Sequence, residues 1–363
     1  MSRAPAFRDR LPRSVPAALY TSPGPLHRGR RVARRQRVQK MLAHTGGRQA
    51  LPWQRLRAWL GAAVLLAGLA APAAAADPAA VDDHAELVIG RTSDDPRSDV
   101  GRLQPLLDYV VPRMAGVGIR RGRVLMARDT QQMISYLRRG KVDWLTDTAG
   151  AAMAFEERAG ARIMLTSYRE GVDRYASVLV ARRDRGIESI DDLRGRSIAF
   201  QNASSTSAYF LPASAILQHG LPLVILASPA DRPGSDLVGF VFARTELNIA
   251  TWVHKGLADA GAFSNLDWDN PRRMPPSFRA DFRVIAESDS VPRAIELIRK
   301  DLPAELADVL RATLLGLDNK PEAQEALRGY FATARFEAID AETQRSLTAL
   351  NARIAPLRKE LDR

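Results

Sequence analysis

Cysteine is absent from all 363 residues, so the chain has no disulfide framework, no zinc–thiolate or iron–sulfur site and no thiol nucleophile. The same absence removes the acylated N-terminal Cys that anchors bacterial lipoproteins. Histidine is scarce: there are five, and only His84, His219 and His254 lie beyond residue 76. None of these three pairs at the i, i+4 spacing of a helical metal site, and the last two fall at expected helix ends, where imidazole complements the helix dipole. The Gly-x-Ser-x-Gly elbow, the P-loop and Gly-x-Gly-x-x-Gly are all missing. Catalytic residues, a metal and a cofactor are therefore not expected, and neither is an enzyme.

Acidic residues are nearly missing from one region. Residues 1–57 hold 14 of the 53 Arg and Lys and one of the 41 Asp and Glu, Asp9. Residues 58–76 carry no charge, which leaves 39 basic and 40 acidic side chains in 77–363. The +12 overall charge thus belongs to the leader, and the near-neutral body gives no reason to expect a nucleic-acid partner.

That leader reads as an address. Arg55 and Arg57 precede the apolar run AWLGAAVLLAGLAA, then Pro72 and a stretch of alanines before Asp77. A basic segment, a short apolar core and a small-x-small site form the signal-peptide pattern, with Ala74 and Ala76 at the cleavage positions. The competing reading is a membrane anchor, since about 20 apolar residues span a bilayer. The Pro- and Ala-rich final third favours cleavage near Ala76 and a periplasmic location. Because 57 residues is long for a basic leader, Met41 is a candidate start.

The body alternates strands and helices. Apolar, β-branched runs at 85–91, 124–127, 142–145, 163–166 and 175–181 predict strands, separated by helical spacing over 100–114, 130–139 and 149–157. A second series follows, with strands at 197–200, 224–226, 238–242, 258–263 and 282–286 and helices at 207–219 and 246–255. Three helices are expected from 302 to 363, separated near 316–321 and 336–340. This rhythm predicts βαβ units in mainly parallel sheets and two α/β lobes. Lobe 1 is expected over 77–181 and 283–363 and lobe 2 over 182–282, with crossings near 181–184 and 283–287.

The informative segment is FQNASSTSAYFLP, residues 200–212. Hydroxyl residues between a strand and a helix start can converge with free backbone N–H groups on an anion, which the helix dipole also favours. Simple N-capping needs only one of them, and the segment by itself is compatible with either role.

Here the sequence resembles the phosphate-, phosphite- and phosphonate-binding proteins of ABC importers. Their motif is an aromatic-ended strand, a short loop, Ser-Thr-Ser, and Pro five residues after the last Ser, matched by Ser205, Thr206, Ser207 and Pro212. Further elements follow in the same order over about 85–300: Ile89-Gly90, Leu137 with Gly140, Val142 and Asp143, Asp192-Leu193-Arg194-Gly195, Ala258 to Ala262, and Val291-Pro292. The resemblance implies a two-lobed class II periplasmic binding protein with a hinge. It also implies a small anionic ligand, an ABC permease in the inner membrane and a monomer.

The departures concern the rest of the pocket. Where aminoethylphosphonate-binding members carry a His, this chain has Glu246, and two pocket tyrosines fall near Thr130 and Asp147. One ligand-contacting carboxylate falls at Leu266, with Asp267 one step away, and another at Ala294. The implied ligand-binding set is Ser205, Thr206, Ser207, Asp147, Glu246, Thr130 and Asp267. Asp147 and Glu246 repel a dianion unless paired, with Arg244 or Arg293 as candidate partners. They could equally be solvent-facing acids, or face a cationic part of the ligand. Capture of a phospho-oxyanion for import is therefore expected. The alternative is a periplasmic sensor or receptor domain of the same fold that binds a different small anion or zwitterion.

Overall fold

The computed structural model describes residues 85–361, and the leader and its cleavage site lie outside them. Two six-stranded sheets organise the chain. The first holds β1 (Glu86–Thr92), β2 (Arg121–Ala127), β3 (Trp144–Asp147) and β4 (Arg162–Arg169), joined by β13 (Ile295–Ile298) and β14 (Thr333–Ala338). Its order is β14-β4-β13-β3-β1-β2. The second holds β6 (Ser177–Arg182), β7 (Ser197–Phe200), β8 (Leu223–Ile225), β9 (Val238–Phe242), β10 (Ala260–Ser264) and β11 (Phe282–Glu287), in the order β11-β6-β10-β7-β9-β8.

Each sheet is mixed, where mainly parallel pairing was expected. β1 pairs parallel with β2 and β3, but β13 and β14 run antiparallel to their neighbours because the chain re-enters this sheet from the opposite end. In the second sheet β7 to β10 are parallel, and β6 and β11 are antiparallel.

Both faces of each sheet are covered, which accounts for the strongly apolar strands. In the first sheet, Leu87, Ile89 and Trp144 pack against α1 (Pro96–Val110) and α8 (Ala304–Leu315) through Leu103, Leu106, Leu107, Leu310 and Leu314. The alternate residues Val88 and Leu145 meet α2 (Thr130–Arg138) and α3 (Ala149–Ala159) through Met133, Leu137 and Phe155. In the second sheet, Leu179, Ile198, Phe200 and Phe240 face α4 (Leu211–Gln218). Val178, Val180, Ala199 and Val241 face α5 (Glu246–His254) through Ile249 and Val253. The connection after β10 carries α6 (Asn265–Trp268) and α7 (Pro276–Asp281).

A short ladder joins the sheets. β5 (Arg174–Tyr175) pairs antiparallel with β12 (Val291–Pro292). The expected division at 181/182 and 282/283 falls inside β6 and β11, which pair with each other in the second sheet. The chain instead passes between sheets at 170–176 and 288–294, because apolar β6 and β11 continue as one hairpin-like pair past both expected breaks.

The C-terminal region also departs from expectation. α9 (Gln324–Gly329) follows α8, but 333–338 is strand β14 where a break between helices was expected. The last helix, α10 (Ala341–Leu361), buries Leu347, Leu350, Ile354 and Leu357 at helical spacing and packs on both α3 and α4.

Candidate functional site

β7 ends at Phe200 and delivers the hydroxyl segment to the edge of the second sheet that faces the carboxyl ends of β1 and β3. Residues 206–210 form one π-helical turn, closed by the Phe210 N–H donating to the Ser205 carbonyl at 2.9 Å, before α4 begins. The Ser205 hydroxyl caps that turn, accepting from the Ala208 N–H at 3.1 Å. Capping is therefore a real role for Ser205. Thr206 does something different: its hydroxyl accepts from the Gly150 N–H, 2.7 Å away in the first turn of α3.

Two further bonds run between the same edges. The Thr148 hydroxyl donates to the Ser204 carbonyl at 3.2 Å, and the Asn202 amide donates to Asp94 at 3.2 Å. Gly150 is required here, since a Cβ would stand 2.6 Å from the Phe210 ring and 2.8 Å from the Thr206 hydroxyl oxygen. The helix N-terminus and the hydroxyl segment thus face each other with no side chain between.

Asp147 sits at the end of β3 beside this junction. One carboxylate oxygen accepts from the Thr148 N–H at 2.8 Å, and the other is buried with no partner. Burial raises its pKa, and the fields of Arg91 and Arg169 only partly oppose that. These two arginines, rather than Arg244 or Arg293, are its cationic neighbours. Both guanidiniums also lie over the Phe331 ring, 4.4 and 4.7 Å from its centroid. Phe331 and Ala332 both have left-handed backbone, with φ of 53° and 51°. Buried polar atoms without partners cluster at these strand ends: Thr92 Oγ1 on β1, Asp147 Oδ2 on β3 and Arg169 Nε on β4. Ligands of open α/β sheets bind outside the carboxyl ends of strands.

On the second-sheet side, Glu246 opens α5 and accepts from the Gln201 side chain at 2.7 Å. Burial raises its pKa, helped by the nearby Asp267 charge and opposed by Arg273. Arg293 pairs with Glu170, and among the described residues no ion pair joins either candidate cation, Arg244 or Arg293, to Glu246. Asp267 is buried in a capping box, accepting from the Ser264 hydroxyl at 2.6 Å, and is paired with Arg273. Tyr175, on the connecting ladder, is buried beside the Thr206 and Ser207 hydroxyls, and burial pushes its pKa up to about 12. Thr130 begins α2, and among the described residues no hydrogen bond ties it to this group.

The structure therefore gathers Ser205, Thr206, Ser207 and Asp147 at one junction. Glu246 and Asp267 share a second charge cluster with Arg273, whose fields reach Glu170 and, through Asp267, Tyr175. The sequence reading missed Arg91, Arg169, Tyr175 and Arg273. Arg91 and Tyr175 carried a usable signal, since each lies at the end of an apolar run; Arg169 and Arg273 carried none. Among the described residues no group of His, Asp and Glu could hold a metal ion, and no helix is long and apolar enough to cross a membrane.

Residues 90–343 match the family model for the phosphonate ABC transporter periplasmic substrate-binding protein. A Xanthomonas citri protein solved with chloride is similar over 76% of this chain and 99% of its own, at 45% identity and a TM-score of 0.74. The same protein solved with ATP aligns over 76% and 98% of the two chains at 44% identity and a TM-score of 0.73. The PhnD1 protein of Prochlorococcus marinus, in complex with methylphosphonate, shares the fold over 75% of this chain and 98% of its own, at 14% identity and a TM-score of 0.56. The two-lobed periplasmic binding-protein fold is common to these structures and this one.

Proposed function

The chain belongs to the periplasmic substrate-binding proteins of phosphonate ABC transporters, and from that premise we propose that it captures a small phospho-oxyanion (phosphate, phosphite or a phosphonate) for import. The observation that carries this reading is the 2.7 Å contact between the Thr206 hydroxyl and the Gly150 N–H. Both are groups that an anion recruits: a hydroxyl able to donate, and a backbone N–H at the positive end of an 11-residue helix. Separating the two sheets frees both, and an anion entering between them takes a bond from each. Ser205 and Ser207 supply further donors beside Thr206.

Lobe 1 in this reading is the first sheet with its helices and lobe 2 the second. The β5–β12 ladder is the hinge about which they close on the ligand. The docked lobes then present themselves to an inner-membrane permease, and the protein acts as a monomer without a catalytic step. The mature chain begins near Asp77.

Asp147 and Glu246 shape selectivity. Burial raises the pKa of each, so each takes up a proton more readily than an exposed carboxylate and can share it with an oxyanion, or accept from an amine when charged. With Asp267 nearby, this favours a hydrogen-phosphonate or an aminophosphonate zwitterion over a bare dianion. Nucleotide phosphates enter the candidate range because the Xanthomonas citri protein was solved with ATP. A sensor that reports the same ligand to a membrane partner has the same cleft. A permease gene pair beside this one favours import, and a histidine-kinase gene favours sensing.

The test is calorimetric titration with phosphate, phosphite, methylphosphonate, aminoethylphosphonate and ATP. Saturable binding of at least one, lost in Thr206→Val, is expected. Binding of none of them overturns the reading.

A further inference from the structure

Tyr175 brings a polar group to the anion junction from the ladder that joins the sheets. The residue is only 6% exposed and belongs to the apolar core that also holds Phe210 and Leu211. Its hydroxyl is buried and meets no hydrogen-bond partner. An unpaired buried hydroxyl is costly, so a phenylalanine would serve better here if the ring alone mattered.

The backbone fixes this side chain from two directions. Tyr175 is the register partner of Val291 in the β5–β12 ladder, and beyond that ladder the Arg293 N–H donates to the Asp173 carbonyl at 2.8 Å. On the other side, the Ala176 N–H donates to the Asn265 side chain at the start of α6, 2.9 Å away. So held, the phenol lies beside the Thr206 and Ser207 hydroxyls. Burial pushes its pKa up to about 12, so it keeps its proton at neutral pH and is available there as a donor.

Thr206 gives that donor a use. A threonine hydroxyl accepts up to two hydrogen bonds and donates one, and here it accepts from the Gly150 N–H. Parting of the sheets takes that N–H away and leaves the Thr206 oxygen short of a donor. The Tyr175 hydroxyl is a buried, unpaired donor next to it, on a strand that needs no solvent access to reach it. A hydroxyl that accepts one bond also donates a stronger one, because bonds in a chain polarise each other.

We propose that Tyr175 is a positioning residue of the anion site: when an anion enters, its hydroxyl replaces the Gly150 N–H as donor to Thr206 and turns the Thr206 hydrogen towards the anion. This rests on the phospho-oxyanion reading. The test is calorimetric titration of wild type and Tyr175→Phe with phosphate, phosphite, methylphosphonate and aminoethylphosphonate, beside thermal melts. The variant keeps the ring and is expected to melt at or above the wild-type temperature. It is expected to bind about three- to tenfold more weakly, the worth of a neutral hydrogen bond. In a Thr206→Val background the same substitution is expected to cost nothing further, which a merely structural role would not produce. Wild type binding none of the four anions overturns the phospho-oxyanion reading and this role with it. Equal affinities of wild type and Tyr175→Phe overturn only this role. A full additional loss in the Thr206→Val background, or binding and melting that fall together, also overturns it.

Discussion

The Arg169 guanidinium stands 3.1 Å from the Glu296 carboxylate, and both are closed off from water inside the first sheet. Four more donors converge on the same carboxylate: the Trp144 indole and the Tyr330 hydroxyl, each at 2.8 Å, Thr146 at 2.9 Å and Ser167 at 3.0 Å. Glu296 thereby ties β13 to β3 and β4 and to the segment that carries Phe331.

Removing one member of a buried pair leaves an uncompensated charge and costs about 3–5 kcal/mol. Glu296→Ala is expected to lower unfolding stability by that amount in urea denaturation. A loss below about 1 kcal/mol, the worth of a surface pair, would show that the network does not hold the sheet.

Ser205 and Thr206 separate by role. Ser205→Ala removes the cap on Ala208 and is expected to lower stability by about 1 kcal/mol. Thr206→Val leaves the turn capped, and its expected effect is a loss of phospho-oxyanion affinity of about tenfold or more, from a charge-assisted bond of roughly 1.5–3 kcal/mol. Thermal melts and calorimetric titrations of both variants decide it; equal melting shifts with equal affinities contradict the division.

Gly150→Ala places a methyl group against the Phe210 ring and the Thr206 hydroxyl. In a helix this substitution alone is favourable by about 0.5–1 kcal/mol. The clash outweighs that gain, since overpacking a close contact costs about 1–3 kcal/mol, so a lower melting point is expected, with weaker ligand binding because the two sheets cannot approach fully. Scattering should also show a smaller ligand-induced contraction than in wild type.

Asp147 gives a signed pH effect. Its folded pKa is raised above the ordinary 3.8, so the folded state binds more protons than the unfolded state just above that value. Its contribution to stability is consequently greatest in acid and is lost as pH rises through the folded pKa. Asp147→Asn carries no such term. Its stability relative to wild type is expected to increase from pH 4 towards neutrality, read from denaturation midpoints at each pH, and a constant difference contradicts the assignment.

Wherever an element depends on neighbours in sequence, the residues announced it. α1, α3 and the apolar strands of both sheets follow from spacing alone, and the Ser-Thr-Ser segment was legible as a run of hydroxyls between strand and helix. What was hidden depends on distant partners. β13 is only four residues long and carries Glu296, whose partners Arg169 and Tyr330 lie far away in the sequence, and it is not among the strands expected from spacing. The crossing points were placed inside β6 and β11 because a charged Arg182-Arg183-Asp184 run looks like a linker, whereas the Arg182 guanidinium binds Asp184 at the end of a strand. Asp147 was legible as a candidate but its neighbours were not, since Arg91 and Arg169 reach it only through the strand order of the first sheet.

That strand order bears on when each sheet can form. The first sheet cannot be completed early in synthesis. β13 must insert between β3 and β4, and β14 must cover β4, yet both are made more than 100 residues after β4 ends. Every strand of the second sheet, by contrast, lies within 177–287. Long-range pairing of this kind closes slowly, so β4 waits unpaired, and β3 paired only with β1, until the C-terminal quarter of the chain is available. The first sheet is thus the later of the two to close, while the second can pair within its own stretch of chain.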